Sequence, residues 1–145
     1  MLFYQELLKR IETKNPVKVC LIGAGKFGSM FLSQVPTSLG LSVTSIVDLN
    51  PQKAKEVCKK IGWSAELINK TDFFDNTDEA FKANNIDVIV EATGDPIAGA
   101  FNAQKAIKNG FHVVMVNVEA DVLIGKELAQ QALSEGVIYT MAYGD

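Results

Sequence analysis

Short apolar runs alternate along this chain with stretches in which apolar residues recur every three or four positions. Phe3, Leu7 and Ile11 share one helical face, with Tyr4 and Leu8 beside it, and Asn15-Pro16 ends that helix. Val17–Ile22 is short, largely apolar and partly β-branched, the pattern of a strand buried on both faces. From the glycine turn onward, Phe27, Met30, Phe31 and Gln34/Val35 form a helical stripe that ends near Pro36. Leu41–Val47 alternates and then turns apolar, as a second strand would. Asn50-Pro51 has the cap-then-proline start of a helix whose core face is Ala54, Val57, Cys58 and Ile61, and Gly62 stops it. Trp63–Lys70 shows no period and reads as loop.

The second half repeats the alternation. Thr71–Asp75 suits a short third strand, and Asn76 with Glu79 has capping-box spacing for a helix through Lys82. Ile86–Glu91 is a fourth strand. Asp95-Pro96 opens a helix with Ala100, Ala103 and Ile107 inward, ended by Gly110. Phe111–Val116 is a fifth strand. A helix beginning at Asp121 or Gly125 carries Ile124, Leu128 and Ala132 to Gly136, and Val137–Thr140 is a sixth strand. Strands and helices in strict alternation predict an α/β fold: a doubly wound, mostly parallel six-stranded sheet with helices on both faces, preceded by an extra N-terminal helix over residues 1–15.

Composition narrows the function classes. At 145 residues the chain suits one domain over 1–145. Its net charge of −3 provides no basic footprint for nucleic acid. No apolar run approaches the ~20 residues of a membrane span, and the mixed charges of the first fifteen residues argue against a signal peptide. A cytoplasmic location is the default expectation. Cys20 and Cys58 have no metal or redox spacing, and Cys20 lies in an apolar run, so buried free thiols are expected. No histidine–cysteine cluster suggests a metal.

The glycines, in the run Cys20-Leu-Ile-Gly-Ala-Gly-Lys-Phe-Gly28, carry the main chemical signal. The turn follows a strand and opens a helix. Gly23 suits the tight turn, Gly25 lets backbone approach a diphosphate, and Gly28 lets the helix pack against the sheet. The unpaired N–H groups of the helix's first turn would face the phosphates. Lys26 either approaches them or stays solvated. Asp48 lies twenty positions beyond Gly28, at the end of the second strand, where a carboxylate accepts from an adenosine ribose. That charge favours NAD over NADP, whose 2′-phosphate it would repel, although Lys53 and Lys55 are near enough in sequence to soften the repulsion.

Ligands in such sheets lie beyond the strands' carboxyl ends. After strand four, Thr93 and Gly94 offer a hydroxyl and close backbone approach. Asp95 reads as a helix cap, and Glu91 as either a buried, paired acid or a ribose contact. After strand five, Asn117 is either a nicotinamide contact or a turn residue bonding its own backbone. Glu119 is the local acid–base candidate, and Asp121 is an alternative acid or a cap. His112, the sole histidine, sits at the opposite end of its strand and reads as structural.

LIGAGKFG, VDLNP, DVIVEATG and GFHVVMVNVEADVLIG, with the final AYGD, together resemble the NAD(P)-binding domain of the homoserine dehydrogenase superfamily. The likeness is greatest to its oxidoreductases with a C-terminal SAF domain, among them the deoxyxylulose-phosphate reductoisomerase-like enzymes. The resemblance implies a Rossmann-type fold and an oxidoreductase that moves hydride between a nicotinamide cofactor and a small hydroxy or carbonyl substrate. It places Gly23, Gly25, Lys26, Phe27 and Gly28 at the diphosphate and Asp48 at the adenosine ribose. Ala92, Thr93 and Gly94 would lie along the cofactor, and Asn117 near the nicotinamide. Homoserine dehydrogenases typically carry Asn-Lys after this strand, whereas here Val118 and Glu119 follow Asn117, which counts against homoserine as substrate. Members are longer, with substrate and dimerisation regions after this domain. The expectation is therefore a cofactor domain that binds dinucleotide without turnover; a homodimer is a further expectation, with the opening helix covering either its own sheet or a neighbouring subunit. A non-catalytic NAD(H)-sensing module is the competing reading.

Overall fold

The computed structural model describes residues 2–142. Six strands form one sheet: β1 (Val17–Ile22), β2 (Leu41–Val47), β3 (Asp72–Phe74), β4 (Val88–Glu91), β5 (His112–Met115) and β6 (Tyr139–Met141). Their spatial order is β3-β2-β1-β4-β5-β6, and every pairing is parallel. The chain winds outward from β1 to β3, then crosses to β4 on the other side of β1. This reversal opens a crevice above β1, at the carboxyl ends, where the Rossmann fold takes its ligand.

Helices α1 (Leu2–Glu12), α2 (Lys26–Gln34), α3 (Pro51–Lys60), α4 (Ala65–Asn69), α5 (Thr77–Lys82), α6 (Pro96–Lys108) and α7 (Val118–Glu135) cover the sheet. Side chains alternate across a strand, so β1 feeds two cores. Leu21 packs with Leu32, Ile46, Ala54 and Trp63 under α2–α4. Ile22 packs with Ile89, Ile107, Met115 and Leu128 under α5–α7. Burial on both faces is why the strands read as apolar runs rather than alternating ones.

The structure corrects several expectations. Trp63–Lys70 is not all loop: Ser64 accepts from the Leu67 N–H and caps α4, which is too short for its period to show. The core stripe of α2 is Gly28 and Leu32 with the expected Phe31 partly buried beside them, continued by the expected Val35 in the 3-10 turn Val35–Thr37, whereas Phe27 and Met30 point to solvent. The last long helix starts at Val118 rather than Asp121 or Gly125, because Asn117 caps it. Its backbone breaks from helical geometry at Ile124 (φ −143°, ψ 21°), and this break makes a later start look plausible in sequence. Strands three to six begin one or two residues later than the apolar pattern suggests, and all pairing is parallel rather than mostly so.

Helix α1 buries none of its residues fully. Leu7 and Ile11 rest on Gly40, while Leu2, Phe3 and Tyr4 are exposed. Among the described residues no helix is long and apolar enough to cross a membrane.

Candidate functional site

The turn from β1 into α2 is built from close approach. Gly23 has φ +93°, and a Cβ there would meet the backbone of Ala92 and Thr93 at 2.8–2.9 Å. A Cβ on Gly28 would overlap the Gly23 carbonyl oxygen. Gly25 differs: its φ is −76°, and a Cβ would meet nothing within 4 Å. No local packing therefore requires glycine at 25, and the space in front of it is open. Helices α3 to α7 each have a side-chain cap, from Asn50, Ser64, Asn76, Asp95 and Asn117 respectively. Helix α2 has none. Its first N–H groups and the positive end of its dipole face that open space, which is the donor set an anionic diphosphate needs. Lys26 and Phe27 are both exposed on this first turn.

Asp48 follows β2. Its Oδ2 accepts from the Ala24 N–H and its Oδ1 from the Asn50 N–H, both at 2.9 Å. These bonds fix the carboxylate beside the glycine turn and leave each oxygen a lone pair for a sugar hydroxyl. The two lysines expected to soften its charge do not line the cleft. Lys55 lies over the Phe73 ring at 5.3 Å instead.

Beyond β4, Ala92 and Thr93 line the same cleft, and Gly94 (φ +75°) turns the chain into α6. Asp95 is the cap expected of it, accepting from Ala98 N–H at 2.7 Å. Glu91 is fully buried and half-paired: Oε1 accepts from the Thr93 N–H and the Asn102 amide, each at 3.3 Å, while Oε2 has no partner.

Beyond β5, Asn117 is buried and engages the chain at both ends of its amide. Oδ1 accepts from Ala120 N–H (3.2 Å), and Nδ2 donates to the Asp95 carbonyl (2.7 Å). It clips the start of α7 to the start of α6, which is the turn-residue reading. Glu119 is exposed on the first turn of α7. Asp121 is neither cap nor free acid, because the Tyr139 hydroxyl donates to it at 2.6 Å. Burial, then the acceptor Asp121, pushes the Tyr139 phenol well above its ordinary pKa of 10.0. His112 has a structural role: its Nδ1 accepts from Ile138 N–H at the start of β6. Both cysteines are buried free thiols, and burial pushes each up to about 11, so neither is a ready nucleophile. Among the described residues no cluster could hold a metal ion.

Gly23, Gly25, Asp48, Ala92, Thr93 and Asp95 meet in a cleft of about 520 Å³ that runs on to Lys105. Sequence reasoning missed its far wall. Lys105 of α6 spans to α5, donating to Thr77 Oγ1 (3.2 Å) and Asp78 (2.9 Å). That bond holds the Asp78 carboxyl below its ordinary value. No local motif marks Lys105, whose role depends on how the consecutive helices α5 and α6 pack across β4. The carboxylates of Asp48, Asp75, Asp78 and Asp95 border the cleft with Lys105 as the single cation, already paired. Lys26, Phe27 and Gly28, with Glu91, Gly94, Asn117 and Glu119, lie outside its lining.

A parallel doubly wound sheet with an uncapped, glycine-opened helix over its crossover point defines a dinucleotide-binding domain. The chain matches the family model described as "Homoserine dehydrogenase, NAD binding domain" over residues 23–141 and belongs to that family. Among solved structures it is similar to a homoserine dehydrogenase from Thiobacillus denitrificans (TM-score 0.73, 23% identity, 87% of this chain and 29% of that one). It is also similar to GenD2 from gentamicin A biosynthesis, in complex with NAD (0.67, 17%, 88% and 34%). A third is scyllo-inositol dehydrogenase from Lactobacillus casei, with bound NAD(H) and scyllo-inositol (0.67, 14%, 88% and 36%). At these identities the structures show a shared fold, and this chain spans about a third of the length of each. No match is found among curated proteins.

Proposed function

We propose that this NAD-binding domain serves an oxidoreductase that moves hydride between the cofactor and a small hydroxy or carbonyl substrate. The observation that carries the placement is the α2 N-terminus, which has no side-chain cap and opens at Gly25 onto free space. The diphosphate rests there, on the main chain of Gly23, Gly25 and Gly28, with Lys26 and Phe27 at its edge. Asp48 accepts from the adenosine ribose, and Leu49, exposed at the cleft's rim, offers an apolar edge to the adenine. Ala92, Thr93 and Gly94 lie along the cofactor toward its nicotinamide half. Asn117 holds the floor beneath that half by joining α6 to α7 and is the candidate carboxamide contact.

When bound, the nicotinamide supplies the hydride donor or acceptor. The chain's own contribution is to hold the dinucleotide, orient the ring and keep an acid–base group within reach. Glu119, exposed beyond β5, is that group. Asp48 and the acidic border of the cleft favour NAD over NADP. The VNVEAD stretch supports a place near the SAF-domain, deoxyxylulose-phosphate reductoisomerase-like branch. Of the AYGD motif, Tyr143-Gly144-Asp145 lies outside the described residues. A homodimer and a cytoplasmic location complete the reading.

Titration tests it. NADH should accept excitation energy from Trp63 and quench it, and calorimetry should give a micromolar Kd, with NADPH weaker. Absence of saturable binding by either nucleotide would reject the placement. Turnover by the whole protein is read against a panel of hydroxy acids, amino-alcohols and sugar phosphates, and Glu119→Gln should lower kcat there more than KM.

A further inference from the structure

Glu91 is the one charged side chain among the described residues that is buried from solvent, at 0% exposure. It ends β4, with Ile22 of β1 and Met115 of β5 beside it in register. Above it lie the first turns of α6 and α7. A Cβ on Gly99 would meet Asn117 Nδ2 at 2.6 Å, and Glu91 Oε2 and Ala120 Cβ at 3.0 Å, so glycine at 99 leaves room under α6 for the Asn117 amide first and for the Glu91 carboxylate beside it. Its hydrogen bonds are two long ones to Oε1, and Oε2 has none. A buried acid so poorly satisfied is costly, and an unpartnered buried group calls for a reason. The helix ends above it favour an anion there. The packing therefore keeps a carboxylate where an apolar residue would fill the same space more easily.

We infer that Glu91 biases the domain toward the oxidised form of its cofactor. This rests on the placement proposed above. With adenosine on the β2 side of the glycine turn, the other half of the dinucleotide runs to the opposite side of β1, over β4 and β5. Glu91 is the buried acid at that end. The oxidised nicotinamide ring carries a formal positive charge and the reduced ring carries none. A fixed carboxylate in a low-dielectric setting therefore stabilises the first and leaves the second nearly unaffected.

Calorimetry on the unmodified protein, Glu91→Gln and Glu91→Asp, with NAD⁺, NADH and ADP-ribose, tests this. Glu91→Gln should weaken NAD⁺ relative to NADH on the order of tenfold, the effect of one charge across a protein-like medium, and leave ADP-ribose unchanged. Glu91→Asp, which keeps the charge, should retain most of the ratio; a loss from packing alone would move NAD⁺ and NADH together and overturn the inference. If ADP-ribose and both dinucleotides fail to bind the unmodified protein, the placement itself is wrong and the inference goes with it. Should Glu91→Gln not fold, carbon NMR of the Glu91 side chain in the unmodified NAD⁺ complex decides. An ionised carboxylate supports the inference and a protonated one overturns it.

Discussion

The Asp48 carboxylate accepts a hydrogen bond from the Ala24 N–H at 2.9 Å, joining the end of β2 to the middle of the glycine turn. The residue proposed to grip the adenosine ribose is therefore also a brace for the loop proposed to hold the diphosphate. Substitutions at 48 must separate these roles. Asp48→Asn keeps an acceptor for the Ala24 N–H, loses the one for Asn50 N–H and removes the charge, so its preference for NADH over NADPH should narrow about tenfold, the scale of one charge–charge term near the surface, with a loss of about 1 kcal/mol in stability from the one bond. Asp48→Ala should narrow the preference similarly and also weaken NADH, because the turn loses its brace. Calorimetric Kd values for both nucleotides check this. An unchanged ratio in Asp48→Asn would show that the charge does not select the cofactor.

Gly25 and Gly28 belong to one motif but predict opposite phenotypes. Gly28→Ala places a methyl against the Gly23 carbonyl, main chain with no room to yield. It should destabilise the fold by about 2–4 kcal/mol, in the range of overpacking and strain. Gly25→Ala meets nothing in the protein and needs no unusual φ. It should cost less than ~1 kcal/mol as a poorer N-cap, yet reduce NADH affinity at least about tenfold if a diphosphate occupies the space its Cβ enters. Urea melts and NADH titrations of the two variants separate folding from binding.

The same contrast explains how much was legible in the sequence. The β–glycine–α junction could be read because its signals are local: an apolar run, three glycines and an acid at a fixed distance. Asn50, Asn76 and Asp95 were readable as caps because each precedes its helix directly. What escaped depends on the third dimension. The inward face of α2 runs through Gly28, Phe31 and Leu32 rather than Phe27 and Met30, because Gly28 sits against the Gly23 carbonyl and turns the helix so that those two face outward. Lys105 closes the cleft from another helix. Glu91 reads in sequence as a contact or a core acid, and only its 0% exposure beneath Gly99 of α6 shows that it is enclosed. Helix α4 is too short for periodicity to register.

Helix α1 depends on one glycine. Gly40 has φ +81°, and a Cβ there would press on Leu7 Cδ1 at 2.6 Å and Ile11 at 3.1 Å. Its carbonyl also accepts from Val17 N–H at the entry of β1. Gly40→Ala should cost about 1–2 kcal/mol from the left-handed backbone alone. Because α1 buries none of its residues fully, the loss should be local. Hydrogen exchange should quicken across residues 2–12 while β1, β4 and the NADH affinity stay as they were.

The Tyr139–Asp121 bond gives the fold a dependence on alkaline pH whose sign follows from the raised phenol. The folded protein keeps Tyr139 protonated beyond the pH at which an unfolded tyrosine ionises, so above about pH 10 the native state holds more protons than the unfolded one. Stability then falls as pH rises. The contribution is intact below the ordinary tyrosine value and is lost on the way up to the folded one. Tyr139→Phe removes both the titration and the bond to Asp121. It should lower stability at neutral pH by about 1 kcal/mol, the usual net value of such a bond, and show a shallower decline between pH 9 and 11 than the unmodified protein. Urea melts across that interval check the slope. Parallel curves for the two proteins would mean that Tyr139 ionises in the folded state as readily as in the unfolded one.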